Sequence, residues 1–205
     1  MLSQYLRELS IKILKGSMVV FVVFLACLVL LAVTPQGRTG ARTMLILPEL
    51  LRGTPLKAQE WITDSPSRRE AIYPIGSGEG MADIYLPAKK GSHSAILLFL
   101  GVNPAGRDDP RVVGLATGLA RVGIVVMIPW SDRMINRRIA VEEIENLVWA
   151  FQYLLSLDFV DPERAGIGGF CVGASLAIVA AADPRIHEKV QVVNSFGGYY
   201  DAKDL

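Results

Sequence analysis

From residue 69 to the end of the chain, apolar strand-like runs alternate with helical ones, and this order leaves few possible folds. A continuous apolar run, typical of a strand that is covered on both faces, lies at 94–100, and further strand-like runs lie at 124–128, 165–170 and 190–196. The stretches between them have helical spacing, and they lie between Pro110 and Gly123, at 138–157 and at 172–182. Repeated strand–helix–strand units form right-handed crossovers with parallel strands. The sequence therefore predicts an α/β fold with a mostly parallel sheet and helices on both faces.

Two shorter strand-like runs precede this alternation. The runs REAIYPI and MADIYLP are separated by Gly76, Ser77 and Gly78, which is typical of a hairpin. We expect this hairpin to add antiparallel strands at one edge of the sheet.

A third feature is an uncharged apolar run near the N-terminus, at residues 17–33. Hydrophobic residues make up 51% of the chain, and this run accounts for the excess over a typical soluble domain. As a helix it spans about 25 Å, and residues 11–14 lengthen the span if the neighbouring lysines reach the membrane interface. A buried core helix would normally have a polar face, and this run has none. We therefore expect one transmembrane helix ahead of the α/β domain, and so a lipid bilayer as a partner.

The apolar run could be a retained anchor or a cleaved signal peptide. Its length exceeds that of most signal peptides, and the small-residue cleavage signal is weak, with Pro35 directly after it. These observations favour a retained single-pass anchor. Basic residues are slightly more frequent before the run than after it: Arg7, Lys12 and Lys15 against Arg38 and Arg42. The positive-inside rule then places the N-terminus in the cytoplasm and the domain outside it.

These features divide the chain into four parts. A polar tail at 1–16 precedes the anchor at 17–33, a linker rich in proline and glycine follows at 34–68, and the α/β domain occupies 69–205. The net charge is +1 with both signs scattered, which argues against a nucleic-acid-binding surface. The two cysteines, Cys27 and Cys171, are too far apart in this arrangement to form a disulfide.

The most informative motif is Gly169-Phe170-Cys171-Val172-Gly173, where a strand runs directly into a helix. A nucleophile in such a turn projects from the carboxyl edge of the sheet, and the flanking glycines let strand and helix pass closely. The helix N-terminus favours a thiolate, and the backbone N–H of Val172 would point at a developing oxyanion. The other interpretation is a small buried cysteine between strand and helix, with glycines that serve packing alone. The context favours a nucleophile.

The chain resembles the dienelactone hydrolase family of α/β-hydrolases over residues 81–200. The resemblance rests on Gly101-Val102-Asn103, on the run VDPERAGIGGFCVGASLAIVAAADPRI and on FGGYY. It implies hydrolysis of a small-molecule carboxylic ester or lactone through a cysteine acyl-enzyme at Cys171, without a metal or an organic cofactor. It also implies a second oxyanion-hole N–H from Val102 or Asn103. Arg133 matches a family arginine that binds the substrate carboxylate, although a solvated loop arginine is an equally good interpretation.

The sequence departs from the family pattern in its catalytic partners. The family supplies an acid and then a histidine after the nucleophile, from loops beyond two further strands. His93 and His187 are the only histidines, and both are expected at the opposite edge of the sheet from Cys171. Asp201 follows the last strand at the correct edge, as a displaced acid or as a solvated terminal residue. The family also has a glutamate at the position of Leu98.

We therefore expect an α/β-hydrolase sheet that is incomplete on its C-terminal side, with the triad acid and histidine missing from this chain. Three functions are consistent with this expectation: an ester or lactone hydrolase truncated after its fourth parallel strand, a membrane-tethered non-catalytic module that binds a ligand or partner, and a thioesterase or acyltransferase on the same fold. The fold alone does not distinguish them.

Overall fold

The computed structural model describes residues 2–34, 37, 40, 44, 63–76 and 78–199, and it describes the side chains of 16–30 and 33 within the first helix. The chain divides into two compact units, residues 1–47 and residues 48–205, and each is described by itself.

The first unit contains one long helix, α1 (Leu2–Val33), which runs through position 16, where we expected a polar tail to give way to the anchor. The described side chains from Gly16 to Leu30 are all exposed. Within the described residues, no helix has the length and apolar character needed to cross a membrane. The predicted transmembrane span is thus not confirmed. Most of the predicted linker at 34–68 lies outside the described residues, and its last two residues already belong to the first strand.

The second unit is built on one six-stranded sheet. Its strands are β1 (Ser67–Ile75), β2 (Gly78–Leu86), β3 (His93–Phe99), β4 (Ile124–Trp130), β5 (Val160–Phe170) and β6 (Val192–Phe196). They lie in the order β1-β2-β4-β3-β5-β6. The pairs β1–β2 and β2–β4 are antiparallel, and β4–β3, β3–β5 and β5–β6 are parallel. The predicted α/β architecture with a hairpin at one edge is confirmed.

Among the described residues of the second unit, four helices accompany the sheet: α2 (Pro110–Arg121), α3 (Asp132–Ile135), α4 (Glu142–Leu155) and α5 (Val172–Ala181). The helix α2 begins as expected, because Asp109 caps it by accepting a hydrogen bond from the N–H of Arg111 and proline occupies its first position. The helix predicted at 138–157 begins at Glu142, and the separate short helix α3 precedes it.

The core lies on both faces of the sheet, because alternate strand residues point to opposite sides. On β4, Val125 and Met127 pack in the larger cluster with α4 and α5, and Val126 and Ile128 pack in the smaller cluster with α2. The central strands are therefore covered on both faces. The edge strand β6 differs, since all of its residues are exposed.

The third parallel strand was predicted at 165–170, and this start is wrong, although the Asp161-Pro162 pair inside the strand is typical of a turn. Strand β5 begins at Val160, which pairs with His93, whereas Ala165 pairs with Ala95. The intervening residues form an irregularity within the strand. Asp161 stabilises it by accepting hydrogen bonds from the N–H of Glu163 at 3.1 Å and from Nε of Arg164 at 2.6 Å. These hydrogen bonds of Asp161 are typical of a turn, but here they bend a strand and do not separate a helix from a strand.

A buried polar chain holds β1 against the start of α4. The hydroxyl of Tyr73 donates to Oδ1 of Asn146 at 2.6 Å, and Nδ2 of Asn146 donates to Oε2 of Glu143 at 3.0 Å. Oγ of Ser131 donates to Oε1 of Glu143 at 2.5 Å and accepts from the N–H of Met134. Burial, and then the charge of Glu143, raise the pKa of Tyr73 well above its ordinary value, so its hydroxyl stays a donor.

We expect Tyr73→Phe to lower the free energy of unfolding by about 1 to 3 kcal/mol, because it leaves Oδ1 of Asn146 buried without its donor. Tyr153→Phe is the matched control. Its ring stacks on that of Tyr73 at 5.8 Å, and its hydroxyl makes no hydrogen bond within the described part of the chain. Urea unfolding followed by tryptophan fluorescence measures both variants. Equal losses for the two would show that the hydroxyl bond contributes nothing.

Candidate functional site at the carboxyl edge of the sheet

The segments that follow β3, β4, β5 and β6 meet at one edge of the sheet, because these four strands are parallel. Gly101, Ser131, Cys171 and Gly197 each lie just beyond the end of one of these strands. In open α/β sheets this carboxyl edge is the usual place for ligands.

Cys171 joins β5 to α5 without an intervening loop. Its backbone has φ 54° and ψ −134°, a conformation that a residue with a Cβ seldom adopts. Its N–H donates to the carbonyl of Phe196 in β6 at 2.9 Å, and its carbonyl accepts from the N–H of Ala174 at 3.0 Å. The side chain is exposed. The sharp, strained turn that the sequence predicts is present, and the alternative of a buried packing cysteine does not fit this exposure.

Close backbone contact between β5 and α5 explains the strain. A Cβ on Gly169 would lie 2.6 Å from the carbonyl carbon and oxygen of Gly173. A Cβ on Gly173 would lie 2.6 Å from the carbonyl oxygen of Phe99, and one on Gly101 would lie 2.8 Å from the N–H nitrogen of Gly173. Gly101 also has φ +68°. Three glycines thus let two strand ends and the first turn of the helix lie in direct backbone contact.

The predicted oxyanion donors belong to α5 and to the loop that follows β3. Val172 is the first residue of α5, where N–H groups have no acceptor within the helix. Val102 is half-buried against the larger core cluster, and Asn103 closes a tight turn with Gly106. The carbonyl of Asn103 accepts from the N–H of Gly106 at 3.1 Å, and Nδ2 of Asn103 donates to the carbonyl of Gly106 at 3.3 Å.

A small cleft of about 10 Å³ separates this loop from the end of β4. A cleft of this volume holds about one water molecule. Gly101 and Asn103 line one side, and Trp130 and Ser131 line the other. The cleft therefore lies between the segments that follow two adjacent parallel strands.

Behind the loop lies Asp83 of β2, whose side chain is almost fully buried. Arg107 binds its carboxylate with two N–H groups, Nε at 3.1 Å and Nη2 at 2.7 Å. Trp130 donates from Nε1 at 2.7 Å, and Arg68 donates from Nη2 at 2.9 Å. Burial alone pushes the pKa of Asp83 upwards, but the hydrogen bonds from Arg68, Arg107 and Trp130 together outweigh it, and the pKa lies below its ordinary value.

Arg133 lies in α3, directly after β4 and at the same edge as Cys171. Its guanidinium is 3.2 Å from the carboxylate of Glu142, and both side chains are more than half exposed. Asp201, the possible acid, lies outside the described residues. Leu98 is buried in the smaller core cluster.

Both histidines lie at the opposite edge. His93 is the first residue of β3, with Nε2 2.8 Å from the carbonyl of Lys89, and His187 lies in the short 3-10 turn that precedes β6. A larger open cleft of about 520 Å³ lies at that edge, lined by His93 and several cations that include Arg69 and Lys89. Among the described residues, no three His, Cys, Asp or Glu side chains are grouped to hold a metal ion.

Sequence reasoning missed Asp83, Arg107 and Trp130. A signal was available for Asp83, because an acid in the middle of the apolar run MADIYLP requires buried donors. The identity of those donors depends on long-range strand pairing, and the sequence pattern does not contain it.

The chain matches no protein-family model and no curated protein, whereas many solved structures share its fold. A dienelactone hydrolase from Anabaena variabilis is 22% identical with a TM-score of 0.51, and the match covers 66% of this chain and 65% of that one. A dienelactone hydrolase-like promiscuous phosphotriesterase from metagenomic libraries is 16% identical, with a TM-score of 0.54 and coverage of 66% and 60%. An α/β-hydrolase from a Penicillium species is 16% identical, with a TM-score of 0.55 and coverage of 67% and 48%.

These likenesses show that the chain shares the fold of these proteins, an α/β fold with a mostly parallel sheet flanked by helices. The chain spans between 48% and 65% of the length of these three proteins. The expected truncation and the roles of the individual site residues stay predictions.

We expect Gly169→Ala to lower the free energy of unfolding by about 1 to 3 kcal/mol, because the new Cβ would meet the backbone of Gly173. Gly114→Ala is the matched control. Gly114 lies inside α2 with open space around it, so the same substitution should raise stability by about 0.5 to 1 kcal/mol. Urea unfolding followed by circular dichroism measures both. A neutral Gly169→Ala would contradict the close contact.

We expect Asp83→Asn to change how stability depends on pH. The pKa of Asp83 is lowered in the folded state, so its contribution is fully present above the unfolded pKa of about 3.9 and is lost as the pH falls through the folded pKa. In thermal unfolding between about pH 7 and pH 2, the stability of the wild type should therefore fall more steeply with decreasing pH than the stability of the variant. At neutral pH the variant should be less stable by about 1.5 to 3 kcal/mol, since Arg68 and Arg107 lose a charged acceptor.

Asp108→Asn is the matched control for this measurement. Its carboxylate is 87% exposed and also binds Arg68, so the same substitution should change the stability at neutral pH by less than about 1 kcal/mol. Parallel pH curves for the wild type and Asp83→Asn would contradict the lowered pKa.

Proposed function

We propose that Cys171 is the nucleophile of a hydrolase for carboxylic esters or lactones, organised as in the dienelactone hydrolase family. The observation that carries this proposal is the backbone of Cys171, held at φ 54° between β5 and α5 with its side chain exposed. A strained conformation of this kind persists only where the surrounding structure enforces it, and it is common at nucleophile positions.

The surroundings of Cys171 suit an acyl transfer to sulfur. The thiolate would attack the ester carbonyl, a carbon–sulfur bond would form, and the carbonyl electron pair would move to oxygen. The N–H of Val172 and one from Val102 or Asn103 would stabilise this oxyanion before the alkoxide leaves. Arg133 pairs with Glu142 through Nη1, and we propose its guanidinium as a contact for a substrate carboxylate.

Hydrolysis of the resulting thioester requires a base that activates water. General base catalysis typically contributes about 10² to 10⁴ fold. Neither histidine lies at the carboxyl edge, because His93 begins β3 and His187 precedes β6. We therefore expect acylation of Cys171 to be faster than deacylation in this chain, so that the acyl-enzyme accumulates.

The test is the reaction of the 205-residue chain with p-nitrophenyl acetate. We expect one equivalent of p-nitrophenol in a burst, little turnover afterwards, and an acetyl group on Cys171 by mass spectrometry. Cys171→Ala should abolish the burst. Cys27→Ala is the matched control, since Cys27 is the other free cysteine and lies in α1, and it should leave the burst unchanged.

Other outcomes would select the other functions. No burst in a folded wild type would contradict the proposal and favour a non-catalytic binding module. A burst followed by turnover only when a thiol or amine acceptor is added would favour an acyltransferase. Sustained hydrolysis that Cys171→Ala abolishes would show that another group in this chain acts as the base.

A further inference from the structure

The loop that would supply the second oxyanion donor is fixed at its start by backbone contact. It runs from Gly101, two residues after the end of β3, to Asp109, which caps α2. At Gly101 a Cβ would lie 3.0 Å from the carbonyl oxygen of Phe170, beside Cys171. The start of the loop is therefore in contact with the turn that carries the nucleophile.

The far part of the loop is fixed by charge. Arg107 binds Asp83 with two N–H groups, and its Nη1 also donates to Oε2 of Glu70 at 2.7 Å. Arg–carboxylate pairs of this forked form fix orientation as well as distance. Since Asp83 is buried in the middle of β2, the loop is attached to a rigid strand instead of another surface segment.

Between these two points, Val102 packs against the larger core cluster. The described hydrogen bonds of this stretch are those of the short turn between Asn103 and Gly106 and of the 3-10 turn Gly106–Asp108. Val102 and Asn103 thus lie between a glycine pressed against the nucleophile turn and an arginine bound to the sheet. Asp83 also receives the indole N–H of Trp130, which lines the cleft opposite Asn103.

We infer that Asp83 and Arg107 are positioning residues for the oxyanion loop: their forked ion pair holds the backbone of Val102 and Asn103 beside Cys171. The inference rests on the proposed function. Neither residue touches the reacting atoms, so their effect is confined to steps in which an oxyanion forms.

Two reactions of the Cys171 thiol distinguish a positioning role of Asp83 and Arg107 from a general effect on stability. Acylation by p-nitrophenyl acetate forms a carbon–sulfur bond through an oxyanion and expels p-nitrophenolate. Alkylation by iodoacetamide forms a carbon–sulfur bond by direct displacement, and iodide leaves with the carbon–iodine electron pair. No oxyanion forms in the second reaction, so a displaced oxyanion loop slows only the first.

The experiment measures both rate constants in a Cys27→Ala background, where Cys171 is the remaining thiol. Arg107→Lys keeps the charge but loses the fork, because an ammonium group binds as a point charge. We expect it to slow acylation by at least about tenfold, as the loss of an oxyanion donor typically costs about 10² to 10³ fold. Alkylation should change by less than about twofold. Asp83→Asn should also lower the rate constant of acylation relative to that of alkylation.

Arg185→Lys is the matched control. Arg185 forms an equivalent fork, with Nη1 2.7 Å and Nη2 2.6 Å from the carboxylate of Glu145, but it lies after α5 and makes no described contact with the loop. Its ratio of acylation to alkylation should equal that of the wild type. Circular dichroism confirms that each variant is folded at the assay temperature.

The possible results are distinguishable. Equal decreases in acylation and alkylation for Arg107→Lys would overturn the inference and assign the ion pair a purely structural role. Unchanged acylation would also overturn it. A wild type without a burst, or a burst that survives Cys171→Ala, would overturn the proposed function itself, and the inference with it. If Arg107→Lys does not fold, the ratio of acylation to alkylation rates in Asp83→Asn tests the inference in its place.

Discussion

The contact between the end of β5 and the first turn of α5 constrains the rest of this domain. Gly169 and Gly173 approach so closely that neither has room for a Cβ, and the chain must reverse direction at the residues between them. Cys171 accepts the strained backbone that results, and its side chain is directed away from the core. The same close approach brings Gly101, and with it the end of β3, against the helix.

A second constraint comes from the buried carboxylate of Asp83. An ionised side chain inside a sheet is stable only when donors surround it. The donors here come from β1, from the end of β4 and from the loop after β3, through Arg68, Trp130 and Arg107. The need to satisfy one charge therefore fixes a loop that has no regular structure of its own between Val102 and Ala105.

The two edges of the sheet carry different chemistry. The carboxyl edge brings together the strained cysteine, the first N–H groups of α5 and the loop after β3. The amino edge carries both histidines and a broad cleft with several cations. A parallel sheet separates these edges by the full length of its strands, so a residue at one edge cannot exchange a proton with a residue at the other. The reaction proposed for Cys171 is accordingly acylation of the thiol followed by slow release of the acyl group.

The sequence by itself determined the local elements and the position of the cysteine. Apolar runs, helical spacing and the Gly-x-Cys-x-Gly motif are short-range signals, because strand and helix periodicity and turn strain depend on neighbouring residues. The sequence also placed His93 and His187 at the amino edge of the sheet, because each of them comes shortly before or at the start of a parallel strand. Only the tertiary structure decided that β2 pairs with β4, that Asp161 bends a strand, and that Asp83 binds Arg107. These depend on pairing between residues far apart in the chain, where many partners satisfy the same local pattern and only packing of the whole sheet selects one.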